Sequence, residues 1–279
     1  MMDLKQNTKQ KRIIISIFDQ FADGYDNPAQ RCFPFFADQL VTELQPQRGQ
    51  KILDVATGSG AAATAAAQAT GPEGRISGID LSENMLVKAE QNIHKMSLQN
   101  IDLHQMDGEA LEFKSLYFDA VISNFCLCFF PDTLAALKQW CRVLKPGGKV
   151  MFTSFHADAF QPMVKVFQQQ LLTYNLENQC QHALCLDNIE ACQELLKQAG
   201  FVEFKIQIKN MSYHLPNIDE WWDLLWASGY GLALTALTPE QQLSFRSEYQ
   251  TKMRNLADEN GLRLNVVALF SSARRPENV

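Results

Sequence analysis

Apolar residues fall into short dense runs separated by stretches in which they recur every three or four positions. Dense runs suit buried strands and the longer spacing suits amphipathic helices. The runs at 51–55, 75–80, 101–106, 118–123, 149–154, 201–208 and 264–270 predict seven strands. Helical spacing predicts segments near 13–22 and 35–44, the second stopped near Pro46. The basic stretch 5–12 ahead of the first is expected to fray. The alanine-rich 61–69 predicts a short helix, alanine being the best helix former. Ser82 is a good cap for a helix striped by Met85, Leu86, Ala89, Ile93 and Met96. Asp132 caps a helix bearing Leu134, Leu137, Cys141 and Leu144, which Gly147 is expected to end. Asp187 and Glu190 form a capping-box pattern before a helix closed by Gly200.

Strands that alternate with helices predict an α/β fold, a parallel sheet with helices on both faces. Two segments break the rhythm, 156–186 and 209–263, and both read as helical insertions. The chain divides into a helical leading segment (1–46), a core (47–155), an insertion (156–186), a core helix and strand (187–208), a cap (209–263) and a last strand with its tail (264–279). Ligands of open α/β sheets sit outside the carboxyl ends of the strands, where the insertions can form a lid. Trp221, Trp222 and Trp226 have the spacing of a core helix. The sharper alternative is a lid that lines an apolar acceptor pocket.

Composition narrows the class. Of 279 residues, 46% are hydrophobic and 20% charged, which excludes wholesale disorder. The net charge of −6 argues against non-specific nucleic-acid binding. No apolar run approaches the ~18 residues of a membrane span. The run Ile13-Ile14-Ile15-Ser16-Ile17-Phe18 is too short for a signal peptide, so a soluble cytoplasmic protein is expected. Seven cysteines, an odd number with no Cys-x-x-Cys, argue against a disulfide framework or structural zinc, and no metal is expected.

The chemistry gathers at predicted strand ends. Ile52-Leu53-Asp54-Val55-Ala56-Thr57-Gly58-Ser59-Gly60 ends a strand and opens a helix, with glycines that permit a tight turn and close ligand approach. Asp80 ends the next strand, at the spacing of an acid that accepts from ribose hydroxyls. Asp107, before Gly108, ends the third, beside where an adenine would lie, and Asn124 ends the fourth. Each could simply begin a loop, but together they describe one elongated nucleoside pocket. Asp54, just before the turn, would repel a dinucleotide pyrophosphate and suits a ligand with an ammonium and a sulfonium group, as in S-adenosylmethionine. His156 and His214 lie near the pocket side, as plain loop histidines or as a base should the acceptor need one. Cys126 and Cys128 read as packing residues.

With Leu144-Lys145-Pro146-Gly147-Gly148-Lys149-Val150, these motifs resemble the class I S-adenosylmethionine-dependent methyltransferases, in particular the ubiquinone/menaquinone-biosynthesis type that acts on small molecules. The first motif departs from that family's usual pattern, having Ala56-Thr57 in place of Gly-Cys or Gly-Thr. Gly78-Ile79-Asp80-Leu81-Ser82-Glu83-Asn84-Met85-Leu86 resembles the second motif, and Phe18-Asp19-Gln20-Phe21-Ala22-Asp23-Gly24-Tyr25-Asp26 the leading segment whose aromatic residue closes over the cofactor. The resemblance is good over 18–155 and returns in the last strand. It implies a Rossmann-like seven-stranded sheet of order 3-2-1-4-5-7-6 with its last strand antiparallel.

It also implies a site. Asp54 and the backbone of Ala56, Thr57, Gly58 and Gly60 would hold the amino-acid end. Asp80, with Leu81 and Met85 of the same motif, would bind the ribose. Asp107 and Gly108 would take the adenine, with Asn124 and Phe125 near the sulfonium and Tyr25 as its cover. The product would be S-adenosylhomocysteine, the acceptor a small or carrier-bound molecule, partly apolar. Two other readings stay open, a nicotinamide-dependent oxidoreductase and a non-catalytic nucleoside-binding module. A methylator of nucleic-acid bases is disfavoured, because Asn124-Phe125-Cys126-Leu127 lacks an Asn-Pro-Pro-Tyr type of motif.

Overall fold

The computed structural model describes residues 4–176 and 186–277. Cys180 and Cys185 lie outside the described residues, among which no disulfide forms. A seven-stranded sheet has the order β3-β2-β1-β4-β5-β7-β6, as expected. Its strands are β1 Lys51–Val55, β2 Arg75–Asp80, β3 Ile101–Gln105, β4 Phe118–Asn124, β5 Leu144–Phe155, β6 Val202–Leu215 and β7 Leu262–Arg274. The first five pair in parallel, and β7 runs antiparallel to both β5 and β6. The register sets Val55 beside Ile79 and Asp80 beside Gln105. Strand ends thus fall on one line.

One face of the sheet is covered by α2 (Cys32–Leu44) and α3 (Ala61–Thr70), the other by α5 (Thr133–Val143) and α7 (Ile189–Gln198). The small side chains of α3 let it lie close to β1, where Ala62, Ala63 and Ala66 are buried. Helix α4 (Glu83–Lys95) starts at Ser82, whose hydroxyl accepts the Met85 N–H at 3.1 Å. The cap is built from α6 (Met163–Thr173), α8 (Ile218–Ala227) and α9 (Pro239–Arg254), around Trp221, Phe167, Phe245 and Tyr249. Trp221 Nε1 donates to the Tyr249 hydroxyl at 2.9 Å, and that hydroxyl donates to the Met163 carbonyl at 2.9 Å. Trp221 and Trp222 are core, whereas Trp226 is half-buried on another side of α8. The core reading holds for Trp221 and Trp222.

Four element boundaries differ from expectation. Helix α1 runs Leu4–Phe21, so the basic stretch does not fray: Lys11 is anchored to Asp107 at 2.6 Å and to Glu109. Asn188, not Asp187, caps α7 by accepting the Ala191 N–H. Helix α5 ends at Val143, and the Lys-Pro-Gly-Gly stretch is an irregularity early in β5. There Leu144 pairs with Phe118, and pairing resumes at Lys149 beside Ala120. Finally, β6 and β7 stay paired as far as Leu215 beside Leu262, so the hairpin extends past Ile208 into the segment read as cap. Alternation explains it: Asn210 and Ser212 face out, while Tyr213 and Leu215 are buried.

Candidate active site

The glycine turn after β1 is held to β2 by the Thr57 N–H, which donates to the Ile79 carbonyl at 2.9 Å. Gly58 has φ +56, a left-handed backbone that side chains resist. Ala56 stands in the same region, at φ +53, despite its methyl group. The turn presents the Gly58 N–H to Asp80 Oδ2 at 2.9 Å, while the Ser82 N–H meets Asp80 Oδ1 at 3.0 Å. Burial pushes the Asp80 carboxyl above the usual range, opposed by these donors. Each oxygen keeps lone pairs for a further donor.

Asp80 borders a cavity at the carboxyl ends of the strands, whose space, open solvent included, is about 710 Å³. Of the residues expected to bind the cofactor, Ala56, Gly58, Asp80, Leu81, Gly108, Asn124 and Phe125 line it. Gly108 has no room for a side chain: a Cβ there would lie 2.7 Å from Val55 Cγ1. Asn124 is fixed from both ends of its amide. Its Nδ2 donates to the Phe33 carbonyl at 3.1 Å, and the Thr153 hydroxyl donates to its Oδ1 at 2.8 Å. The Phe125 N–H donates to that Thr153 oxygen at 2.9 Å, and the Phe125 ring lies stacked 4.3 Å from Phe155.

Six expected residues are not in the lining. Asp54 is buried beneath the turn, where it accepts the Thr57 hydroxyl at 2.6 Å. Burial pushes its carboxyl up to about 7, against that hydrogen bond and with the Asp80 charge adding to the rise. Thr57 is thereby turned inward. Gly60 begins α3 with its back against Ala89, and Met85 is buried under Gly58. Asp107 spends Oδ2 on Lys11 and Oδ1 on the Glu109 N–H at 2.9 Å. Burial pulls the Lys11 ammonium down, but the two acids outweigh it and hold it above the usual lysine range. Tyr25 is stacked on Phe33, centroids 6.2 Å apart, and touches Phe18, which does line the cavity.

Sequence reasoning missed the α1 wall, Lys11, Ile14 and Phe18. Their spacing puts all three on one helix face, a signal present in the chain. It also missed Phe129, Phe130 and Pro131, which follow β4 at a strand's carboxyl end, where ligands gather. The leading segment is tied to the loops after the first three strands. Besides Lys11, Asp19 accepts the Ser82 hydroxyl at 2.5 Å, and Asp26 accepts the Ser59 hydroxyl at 2.6 Å. Among the described residues the cavity wall contains no histidine: His156 accepts the Asp158 N–H in its own turn, and His214 faces Asp258. Cys126 lines the cavity, but burial pushes its thiol well up and Ser123 hydrogen-bonds it.

The profile of the ubiE/COQ5 methyltransferase family matches residues 4–177. The chain is similar to the aklanonic acid methyltransferase DauC of Streptomyces sp. strain C5, 32% identical over 56% of this chain and 71% of the relative. It is similar also to the demethylmenaquinone methyltransferase of Staphylococcus carnosus, 33% identical over 61% of this chain and 70% of the relative. Among solved structures, a Haemonchus contortus phosphoethanolamine N-methyltransferase in complex with S-adenosylhomocysteine covers 93% of this chain, which spans 60% of that one, at 23% identity and a TM-score of 0.54. The YcgJ protein of Bacillus subtilis is 16% identical with a TM-score of 0.59, covering 88% of this chain and 100% of its own. At these identities the likeness shows the fold.

Proposed function

The chain belongs to the ubiE/COQ5 methyltransferase family, and from that premise we propose that the cavity under α1 takes S-adenosylmethionine and the methyl group passes to a small, partly apolar acceptor in the cytoplasm. Methyl transfer follows from the family. The residue roles are our reading, and one observation carries them. Asp80 is locked by the Gly58 and Ser82 N–H groups at a cavity edge, as a fixed acceptor for two vicinal hydroxyls. The cavity's place at the strand ends and the glycine turn at its edge suit an adenosyl ligand. Family membership selects this over the nicotinamide-dependent oxidoreductase and the non-catalytic module.

The cofactor supplies a methyl group activated by a positively charged sulfur, and S-adenosylhomocysteine is left. The chain contributes geometry and dryness. Asp80 accepts from the ribose, with Leu81 beside it. Backbone of the 56–60 turn carries the amino-acid end, and Asp54 acts from beneath through Thr57. Gly108 makes room for the base, with Asp107 and Lys11 at that end. Asn124 is held by Thr153 and Phe33 so that its amide cannot rotate, which fixes the wall beside Phe125 that would flank the sulfur. Phe18 and Tyr25 close the α1 side and exclude water.

Calorimetric titration tests this. S-adenosylmethionine and S-adenosylhomocysteine are expected to bind at micromolar concentration and NADH not at all. Asp80→Ala is expected to weaken both adenosyl ligands on the order of a hundredfold, from the lost hydrogen bonds to a charged group. NADH binding without adenosyl binding would reverse the assignment.

A further inference from the structure

Asp80 owes its place to two backbone donors, the Gly58 N–H and the Ser82 N–H. Each donor lies at a serine that is itself held from outside: Ser82 carries the second donor, and Ser59 follows the first. Both serines are buried. A buried hydroxyl needs an acceptor, and here each finds a carboxylate of the leading segment. The Ser82 hydroxyl donates to Asp19 Oδ1 at 2.5 Å, and the Ser59 hydroxyl to Asp26 Oδ1 at 2.6 Å. Asp19 stands on the last turn of α1 and Asp26 in the turns after it. Neither acid is among the residues that line the cavity.

Neither brace is a single bond. The Ser82 oxygen also accepts the Met85 N–H at 3.1 Å, so Asp19 fixes the direction of the hydroxyl that starts α4. The Asp19 carbonyl accepts the Asn84 side-chain amide at 3.1 Å. On the other side, Asn92 Nδ2 donates to Asp26 Oδ2 at 2.8 Å and to the Ser59 carbonyl at 3.0 Å. With the Ser59 hydroxyl this closes a ring of hydrogen bonds at the end of the glycine turn. Hydrogen bonds to a carboxylate are shorter and stronger than those between neutral groups. Helix α1 packs against α4, and its other face borders an open trough shared with α8 and α9. These polar contacts, with Lys11 on Asp107, therefore seat the segment from the cofactor side.

We propose that Asp19 and Asp26 are positioning residues for the methyl donor: acting through Ser82 and Ser59, they set the two backbone donors that aim Asp80 at the ribose diol. The proposal rests on the reading of Asp80 given above and extends the site to two residues that do not touch the ligand. An acceptor for two vicinal hydroxyls must be held within roughly 0.5 Å of its productive place to keep both bonds. Backbone donors hold it there only if the loops that carry them are held too. Order in the leading segment and affinity for the diol thereby become one property.

The test compares S-adenosylhomocysteine with its 2′,3′-dideoxy counterpart, titrated calorimetrically into the whole protein. Wild type is expected to prefer the diol by on the order of a hundredfold, the loss expected of Asp80→Ala. Asp19→Ala and Asp26→Ala are each expected to weaken S-adenosylhomocysteine about tenfold and the dideoxy ligand by less than about twofold. Asp19→Asn keeps an acceptor for the Ser82 hydroxyl and is expected to recover most of that loss. In an Asp80→Ala background, Asp19→Ala is expected to cost nothing further, because no carboxylate is left to aim. Equal weakening of both ligands by the alanine variants would leave the two acids a structural role alone and overturn the proposal. So would a diol preference that survives both alanine substitutions together. Wild-type protein that binds the two ligands equally would instead sink the ribose reading of Asp80, and the positioning role with it.

Discussion

The two faces of α1 carry adjacent lysine and arginine residues in opposite circumstances. Lys11 meets two carboxylates and closes a gap between α1 and the loop after β3. Arg12 points into an open trough and meets none among the described residues. One cation is part of the architecture and the next is available to a ligand. Charge type alone does not separate them. What separates them is whether the chain supplies the counter-charge, since a cation already paired has little left to offer an incoming anion.

Charge reversal at each position sharpens that contrast most. Lys11→Glu sets a third carboxylate beside Asp107 and Glu109. It is expected to cost about 2 kcal/mol, a melting temperature roughly 4–8 °C lower, with faster amide exchange along α1. Arg12→Glu is expected to leave the melting temperature within about 1 °C, because no internal pair is broken. Equal losses at both positions would erase the distinction.

A pH-dependent effect comes from beneath the turn after β1. The Asp54 carboxyl is held at about 7 by burial, against about 4 in an unfolded chain. Its folded value is raised, so the stability it supports is complete below about pH 4 and is lost as pH rises through about 7. Asp54→Asn keeps an acceptor for Thr57 and removes the titration. Its melting temperature is expected to be flatter than wild type between pH 4 and 7, read by thermal scans across that window. The smallest effect belongs to Ala56. Ala56→Gly relieves a left-handed alanine worth about 1–2 kcal/mol, less the greater freedom of glycine in the unfolded chain, about 0.5–1 kcal/mol. A gain of roughly 2 °C is expected. A loss would mean that the methyl group contributes packing that outweighs its strain.

The same division governs what could be read from the chain. The line of strand ends, the glycine turn and Asp80 were legible because each is a local signal: a buried run, a breaker, an acid at fixed spacing. Strand order and its antiparallel end came from the family resemblance. Helix α1 was misjudged at its start because its first turns are polar, and its order comes from Lys11 meeting Asp107, a contact across 96 positions that no local pattern reports. The extension of β6 was overlooked although Met211-Ser212-Tyr213-His214-Leu215 alternates as an edge strand should. Asp54 was expected at the ligand, yet its position immediately after the buried Leu53 turns it under the turn, toward Thr57. The trough between α1, α8 and α9 was illegible for another reason: α1 is far in sequence from the other two helices, and each is ordinary alone.

The hairpin has a consequence for how this protein could change over time. Leu215 and Leu262 are paired, so residues 216–261 leave and rejoin the sheet at neighbouring points. A segment whose ends are already clamped together pays little for its length, roughly 0.6 kcal/mol for each doubling. The paired strands act as a socket. What is plugged into it can be lengthened, shortened or replaced while Asp80 and its two backbone donors stay where they are.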